Sequence, residues 1–513
     1  MVFSTLLFLF RFLPITLALY YLAPAKWKNT VLFVCSLVFY SWGEVRLFPI
    51  MALAILINYT AGLGMEKFAH SKRARLFFLI YSIVGSIGML MFFKYTNFFI
   101  TNINALLGTS IATLSLTLPL GISFYTFQTM SYSIDVYRGD VPTEHNLIDF
   151  GAYVVMFPQL IAGPIVKYRD VSDRLHVLKG RVTMDRVEEG VYLFILGLAK
   201  KVLLADGISA LWYDVTGHMV NGVMEYGVGL ENASTPLVWL GLLAYTLQIY
   251  FDFSGYSLMG IGMGKMLGFD FPDNFNLPYI SKSITEFWRR WHMTLSSWFR
   301  EYVYIPLGGN RKCTARKYIN LLATFAVSGL WHGTGLTFLI WGLLHGLYQV
   351  AGAVLEPVRA KAYALLPIRR DGKLASVWQC LFTFLLVHTA WVFFRAASVQ
   401  DALYVLTAQF AGGSPGEVLA QVWGIILAGF NAKPLLAAAF AAFLAFSFAV
   451  CCALDAVRRF SRRSVQGEAT PVLLGLSGWR WLCYYAFAGL IFLGFLFNNG
   501  YLTGAVSFLY ANF

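Results

Sequence analysis

The sequence predicts an all-α, polytopic integral membrane protein. Three observations carry that prediction: few charged residues, apolar runs of bilayer-spanning length, and positive charge confined to alternate loops. Of the 513 residues, 58% are hydrophobic and 17% aromatic, while only 13% are charged; a soluble domain carries about 25% charged residues. Apolar runs recur at 29–43, 76–93, 236–251, 376–394, 434–454 and 481–497. Each approaches the roughly 20 residues that a spanning helix needs, and about eleven segments meet that standard.

The first run, Val2 to Leu22, is followed by Ala23-Pro24-Ala25-Lys26. Its positive charge comes after the apolar stretch rather than before it, so the run reads as a retained first helix and not as a signal peptide. The formal charge of +13 would point to nucleic acid in a soluble protein; here its distribution marks membrane sidedness instead. With the N-terminus outside, loops at 23–28, 65–75, 135–190, 255–318, 356–375 and 456–478 share one face and hold roughly thirty of the 39 Lys and Arg residues. That face is cytoplasmic by the positive-inside rule. The opposite loops, at 44–47, 95–115, 213–235, 396–433 and 499–513, are nearly free of positive charge, and both termini are expected outside. The six cysteines form no CxxC pair, and Cys35, Cys380, Cys451, Cys452 and Cys483, in or beside apolar runs, read as free, buried thiols. With no internal repeat and no soluble stretch of domain length, residues 1–513 read as a single membrane domain with its core at 118–346.

Three regions break the apolar pattern, and polar groups inside membrane segments usually face a cavity, a partner or a functional path. Leu118 to Gly139 is interrupted by Pro119 and Gly121 and is rich in Ser, Thr, Tyr and Gln128. Phe157 to Pro164 holds two prolines and a glycine, and suits a re-entrant segment packed in protein. The third region runs from Tyr250 to Gly346. Trp288, Trp291 and Trp298, with Arg289, Arg290 and Arg300 among them, predict an amphipathic helix lying in the interface over 280–309. Beyond a basic cluster, 318–355 must enter and return as a hairpin, which places His332 near its tip.

His332 lies among Gly329, Gly333 and Gly335, which leave room for a substrate to approach. An imidazole is also well matched to proton transfer near neutral pH. His345 and His388 sit within regular apolar helices and read as hydrogen-bonded packing residues. His292 is open to two readings, a side chain at headgroup level or a functional group. Asp252 and Asp135 suit structural pairing as well as catalysis. Lys282, Arg289, Arg290, Arg311 and Lys312 suit contact with anionic lipid or with a phosphorylated cytosolic donor. No Walker A loop, GxSxG elbow, HExxH or dinucleotide fingerprint is found, so ATP-driven transport, serine hydrolysis and zinc proteolysis lack support.

The motifs LPLGISFYTFQ, FPQLIAGPI, YFDFSGYS, ITEFWRRWHMTLSSWFREYVYIPLGGNR and SGLWHG stand in one order on a polytopic chain. In these the sequence resembles the membrane-bound O-acyltransferase family, most closely its bacterial polysaccharide O-acetyltransferases of the alginate type. The resemblance implies a multi-pass protein of the bacterial inner membrane, built around a central tunnel. It implies acetyl-CoA as donor substrate with no bound cofactor or metal, a polysaccharide acceptor, and a periplasmic partner acetyltransferase of the SGNH type. The family's essential histidine matches His332 and its second polar residue matches His292. The tunnel is expected to be lined by Gln128, Tyr125, Asp252, Ser254 and Trp331. Relatives commonly read DFSGYSD where this chain has Leu258 after Ser257, which weakens the carry-over at that segment. Two other readings stay open: an enzyme resembling the teichoic-acid D-alanyl transferase, and a transporter of an acylated intermediate.

Overall fold

The computed structural model describes residues 2–177, 182–209, 218–220, 223–225, 235–365, 369–410 and 434–464, with isolated positions at 416, 420, 423, 424, 427, 489 and 491. Among them the chain is helical, apart from an antiparallel hairpin of two short strands, His218–Val220 and Val223–Glu225. Five described helices are long and apolar enough to cross a membrane: Val45–Lys67, Lys72–Leu107, Leu237–Met266, Leu336–Val354 and Lys373–Arg395. Their outward faces carry large apolar side chains such as Phe77, Val84, Phe92, Leu347 and Phe382, all exposed. Such faces suit hydrocarbon as solvent. The chain is therefore a multi-pass membrane protein. The apolar run 481–497 and the loop 499–513 fall almost wholly outside the described residues, as do most of the loops 213–235 and 456–478 and much of 396–433.

The helices fall into two compact units, divided inside the Met184–Ala199 and Thr235–Met266 helices. In the first unit, residues 1–194 and 257–273, the predicted break at 118–121 is present. Gly121 adopts φ +72° at the start of the Ile122–Arg138 helix, and a Cβ there would lie 2.3 Å from the Leu160 carbonyl oxygen. Only glycine supplies both that left-handed backbone and that approach. Leu160 ends the four-residue Phe157–Leu160 helix, in which every side chain is fully buried, as expected of a segment packed in protein. Polar side chains join the helices. Asn58 Oδ1 accepts from the Ser82 hydroxyl at 2.6 Å and the Ser133 hydroxyl at 3.0 Å, while its amide donates to Ser86 at 3.0 Å. One asparagine thus ties three helices where lipid offers no alternative partner. The Lys72–Leu107 helix is longer than its apolar run: 36 residues rise about 54 Å, well beyond a hydrocarbon core of about 30 Å. Most of the loop expected at 95–115 is thus helical. The chain then returns along that helix, pinned by Asn97 to Leu114 and by Asn104 to Ile111.

In the second unit, residues 195–256 and 274–513, the predicted hairpin is present as Thr314–His332 and Leu336–Val354. Its glycines serve packing. A Cβ on Gly329 would lie 2.3 Å from the Phe338 carbonyl oxygen, one on Gly342 2.3 Å from that of Phe325, and one on Gly333 2.2 Å from the Phe338 ring. The space expected around His332 for a substrate is therefore filled by the other arm of the hairpin. The interfacial helix expected over 280–309 is also corrected. It breaks into Ile284–Trp288, Met293–Phe299 and a π turn over Arg300–Tyr304. Trp288, Trp291 and Trp298 are 8%, 2% and 3% exposed, so they face protein rather than headgroups. The cause lies in Asn274 to Asn276. The Asn274 carbonyl accepts from Met293 N–H at 2.9 Å and Asn276 N–H donates to the Arg290 carbonyl at 2.8 Å, taking up backbone groups at the break. Of the thiols expected to be buried, Cys451 is buried, Cys35 and Cys380 are half-buried and Cys452 is exposed.

Close approach of the hairpin arms predicts the effect of adding one methyl group. Gly342→Ala should lower stability by about 1–3 kcal/mol through overpacking. Gly352→Ala, with nothing within 4 Å of the added carbon, should not lower it. Thermal unfolding in detergent of both variants checks this.

Candidate active site

His332 ends the first arm of the hairpin, 3% exposed, in a shell of aromatic rings. Trp331, Trp341 and Phe394 have ring centroids 4.6, 5.0 and 5.2 Å from the imidazole. Burial of this kind keeps bulk water from an imidazole while leaving it able to exchange a proton with a bound group.

His292 is fully buried and occupies the break between the two short helices with φ +41°. Left-handed backbone at a non-glycine residue is uncommon and concentrates at functional positions. Its Nδ1 lies 3.0 Å from Asn274 Oδ1. The Thr294 hydroxyl donates to that same oxygen at 2.9 Å. An amide oxygen only accepts, so His292 carries its proton on Nδ1 and presents Nε2 as an acceptor. Burial pushes its pKa down from 6.5 to about 3, so the ring is neutral near pH 7. Phe253 packs edge-on at 4.7 Å, and a run of rings through Phe275, Trp291, Trp391 and Trp341 continues from there to His332.

Asp252 is committed to an ion pair. Lys201 Nζ lies 2.9 Å from Asp252 Oδ1 and 2.7 Å from Asp206 Oδ1, with Lys201 and Asp252 almost wholly buried. The Met184–Ala199 helix continues into a π turn over Lys200–Ala205. Gly255 brings that turn against the Thr235–Met266 helix, since a Cβ there would lie 2.7 Å from the Gly197 carbonyl oxygen. Such π turns recur at functional sites. Ser254, beside this pair, is buried with its hydroxyl unpaired, and Trp331 is buried against His332. Tyr125 and Gln128 belong to the first unit and are fully buried; both amide atoms of Gln128 lack a hydrogen-bond partner among the described residues.

The five expected donor contacts divide. Arg290 is held by Glu286 at 2.8–2.9 Å and by the Asn276 carbonyl at 3.1 Å, so it braces the break rather than waiting for a ligand. Lys282 donates to Ser376 at 2.8 Å. Arg289, Arg311 and Lys312 are exposed and form no ion pair among the described residues. Near them a cavity of about 170 Å³ is lined by Trp288, Leu295, Phe299, Phe325 and Ser328, with Arg300 and Tyr304 also on its wall.

The family profile of membrane-bound O-acyltransferases matches residues 44–399. The chain belongs to that family. It is an O-acyltransferase. It is 44% identical over 418 residues to the probable alginate O-acetylase AlgI of Pseudomonas aeruginosa, covering 81% of this chain and 76% of that one. It is 36% identical over 436 residues to the peptidoglycan O-acetyltransferase of Helicobacter pylori, covering 79% of each. The teichoic acid D-alanyltransferase of Bacillus subtilis is 28% identical over 265 residues, 49% of this chain and 62% of that one.

Sequence reasoning missed two supports of this O-acyltransferase's site. Lys201 had a legible signal, a charge inside the apolar stretch from Val191 to Ala205. Asn274, 18 residues from His292, had none.

Removing Lys201 strands two buried carboxylates, so Lys201→Met should destabilise the protein by about 3–5 kcal/mol. Adding Asp252→Asn should recover part of that loss, as read by thermal unfolding in one detergent. For His292, the folded pKa lies below the unfolded value of 6.5, so the unfolded chain takes up the extra proton between pH 6.5 and about 3. Its contribution is present above pH 6.5 and is lost as pH falls. The unfolding temperature of the wild type should therefore drop more between pH 7 and pH 4.5 than that of His292→Asn.

Proposed function

We propose that this O-acyltransferase moves acetyl groups from cytosolic acetyl-CoA toward an extracytoplasmic polysaccharide of the alginate type in the bacterial inner membrane, directly or through a secreted SGNH-type partner. The observation that carries the reading is His332, a buried imidazole at the end of a hairpin arm in a shell of aromatic rings. The names of the more similar relatives favour acetyl over D-alanyl as the group moved.

In this reading the acceptor hydroxyl oxygen attacks the thioester carbon as its proton passes to His332. General-base assistance of this kind is typically worth 10²–10⁴-fold. The carbonyl electrons move onto oxygen, then return as the carbon–sulfur bond breaks, and the departing thiolate takes the proton back from His332. His292 acts as a neutral acceptor through Nε2 and orients a hydroxyl or thiol. Arg289, Arg311 and Lys312 suit the donor's phosphates, which arginine contacts in bidentate fashion. The 170 Å³ apolar cavity has Ser328, four residues before His332, in its wall and suits an uncharged arm of the donor. The charge pattern supports about eleven spans with the basic loops cytoplasmic. The buried polar atoms of Gln128 and Ser254 are those expected of residues facing a polar path.

His332→Ala should abolish acetyl esters on the cell's exopolysaccharide while expression and thermal stability hold. Acetylation at wild-type level by well-folded His332→Ala protein would remove the general-base role and favour a transporter.

A further inference from the structure

Two of the buried hydrogen-bond donors around Trp341, which packs on His332, have no acceptor among the described residues. Trp288 Nε1 lies 3.2 Å from His345 Nδ1. Indole N–H donates only, so His345 Nδ1 accepts and the ring carries its single proton on Nε2. That Nε2 is fully buried and makes no hydrogen bond. One turn earlier on the same helix, Trp341 is 1% exposed and its Nε1–H is likewise unpaired. Residues four apart share a helix face. The Trp341 ring bridges the pair, 5.2 Å from His345 and 5.0 Å from His332. A buried donor without a partner forfeits its hydration with nothing in return, and two in adjacent turns next to the general base call for an acceptor that arrives with the substrate.

Resting on the acetyl-transfer reading above, we infer that Trp341 Nε1–H and His345 Nε2–H bind the oxygen of the acyl carbonyl. That oxygen gains negative charge as the acceptor hydroxyl attacks and loses it when the carbon–sulfur bond breaks, so fixed donors aimed at it favour the transition state over the bound donor. The surrounding rings exclude water, which strengthens each bond. The ligand class is a thioester or ester carbonyl, and the hydrogen bond from Trp288 holds His345 in the tautomer that can donate.

Membrane vesicles from expressing cells, given radiolabelled acetyl-CoA, report the maximal rate and donor KM of acetyl incorporation into polymer. Trp341→Phe should lower the rate about 10²-fold with donor KM unchanged. Replacing Trp341 by 3-benzothienylalanine keeps the ring shape and puts sulfur in place of N–H, so it should lower the rate equally while leaving thermal stability intact. His345→Gln offers an acceptor to Trp288 and a donor of its own, and should retain more activity than His345→Leu. A wild-type rate in the benzothienyl variant, alongside an inactive His332→Ala, would overturn this inference alone. No acetyl incorporation by wild-type vesicles would overturn the function proposed above and this inference with it.

Discussion

Lipid offers no hydrogen bonds, and that single constraint shapes the described structure. Each polar side chain drawn into the apolar helices has to be answered from within the protein. Asn58 is answered by serines on two other helices, Lys201 by two aspartates, and His292 by Asn274. These bonds do more than offset desolvation. Association of apolar helices in lipid has little hydrophobic driving force, so polar ties and close glycine contacts select which helices meet and in what register. The hairpin is the clearest case. Gly329 and Gly342 each face a carbonyl of the opposite arm, and that close contact sets where His332 stands against Trp341.

Much of this was legible because hydropathy and helix breakers act locally. The hairpin, the break at Gly121 and the packed Phe157–Leu160 segment follow from short stretches of sequence. His345 and His388 are each hydrogen-bonded to a neighbour, Trp288 and Thr246, as their places in regular apolar helices predict. What was illegible depends on residues far apart in the chain. The tryptophans at 288, 291 and 298 have helical spacing, and nothing near them announces that Asn274 and Asn276 intercept the backbone at the break. Glycines 329 and 333 read as open space because sequence does not reveal which neighbour fills it. Phe338 fills it.

His292 and His332 differ in how they are held, and the difference fits the different work proposed for them. His292 is locked through Nδ1 to an asparagine that also takes the Thr294 hydroxyl, on a backbone already confined to the left-handed region. A ring fixed in this way through Nδ1 suits orientation. His332 is surrounded by the rings of Trp331, Trp341 and Phe394 in edge-to-face contact. In the reaction proposed above, those rings keep water from the imidazole that would take and return the proton.

A general base alone leaves the larger part of an acyl-transfer barrier untouched, because charge develops on the carbonyl oxygen rather than on the attacking proton. Backbone N–H groups often meet that charge, yet a regular helix in lipid has already committed its own to carbonyls one turn back. The available donors are then side chains, and in a water-free shell those must be neutral to avoid a stranded charge. Indole and singly protonated imidazole satisfy both conditions. Their occurrence four residues apart on the arm that faces His332 gives the aromatic enrichment of this region a chemical reason beyond packing: the rings that exclude water also carry the polar atoms that replace it.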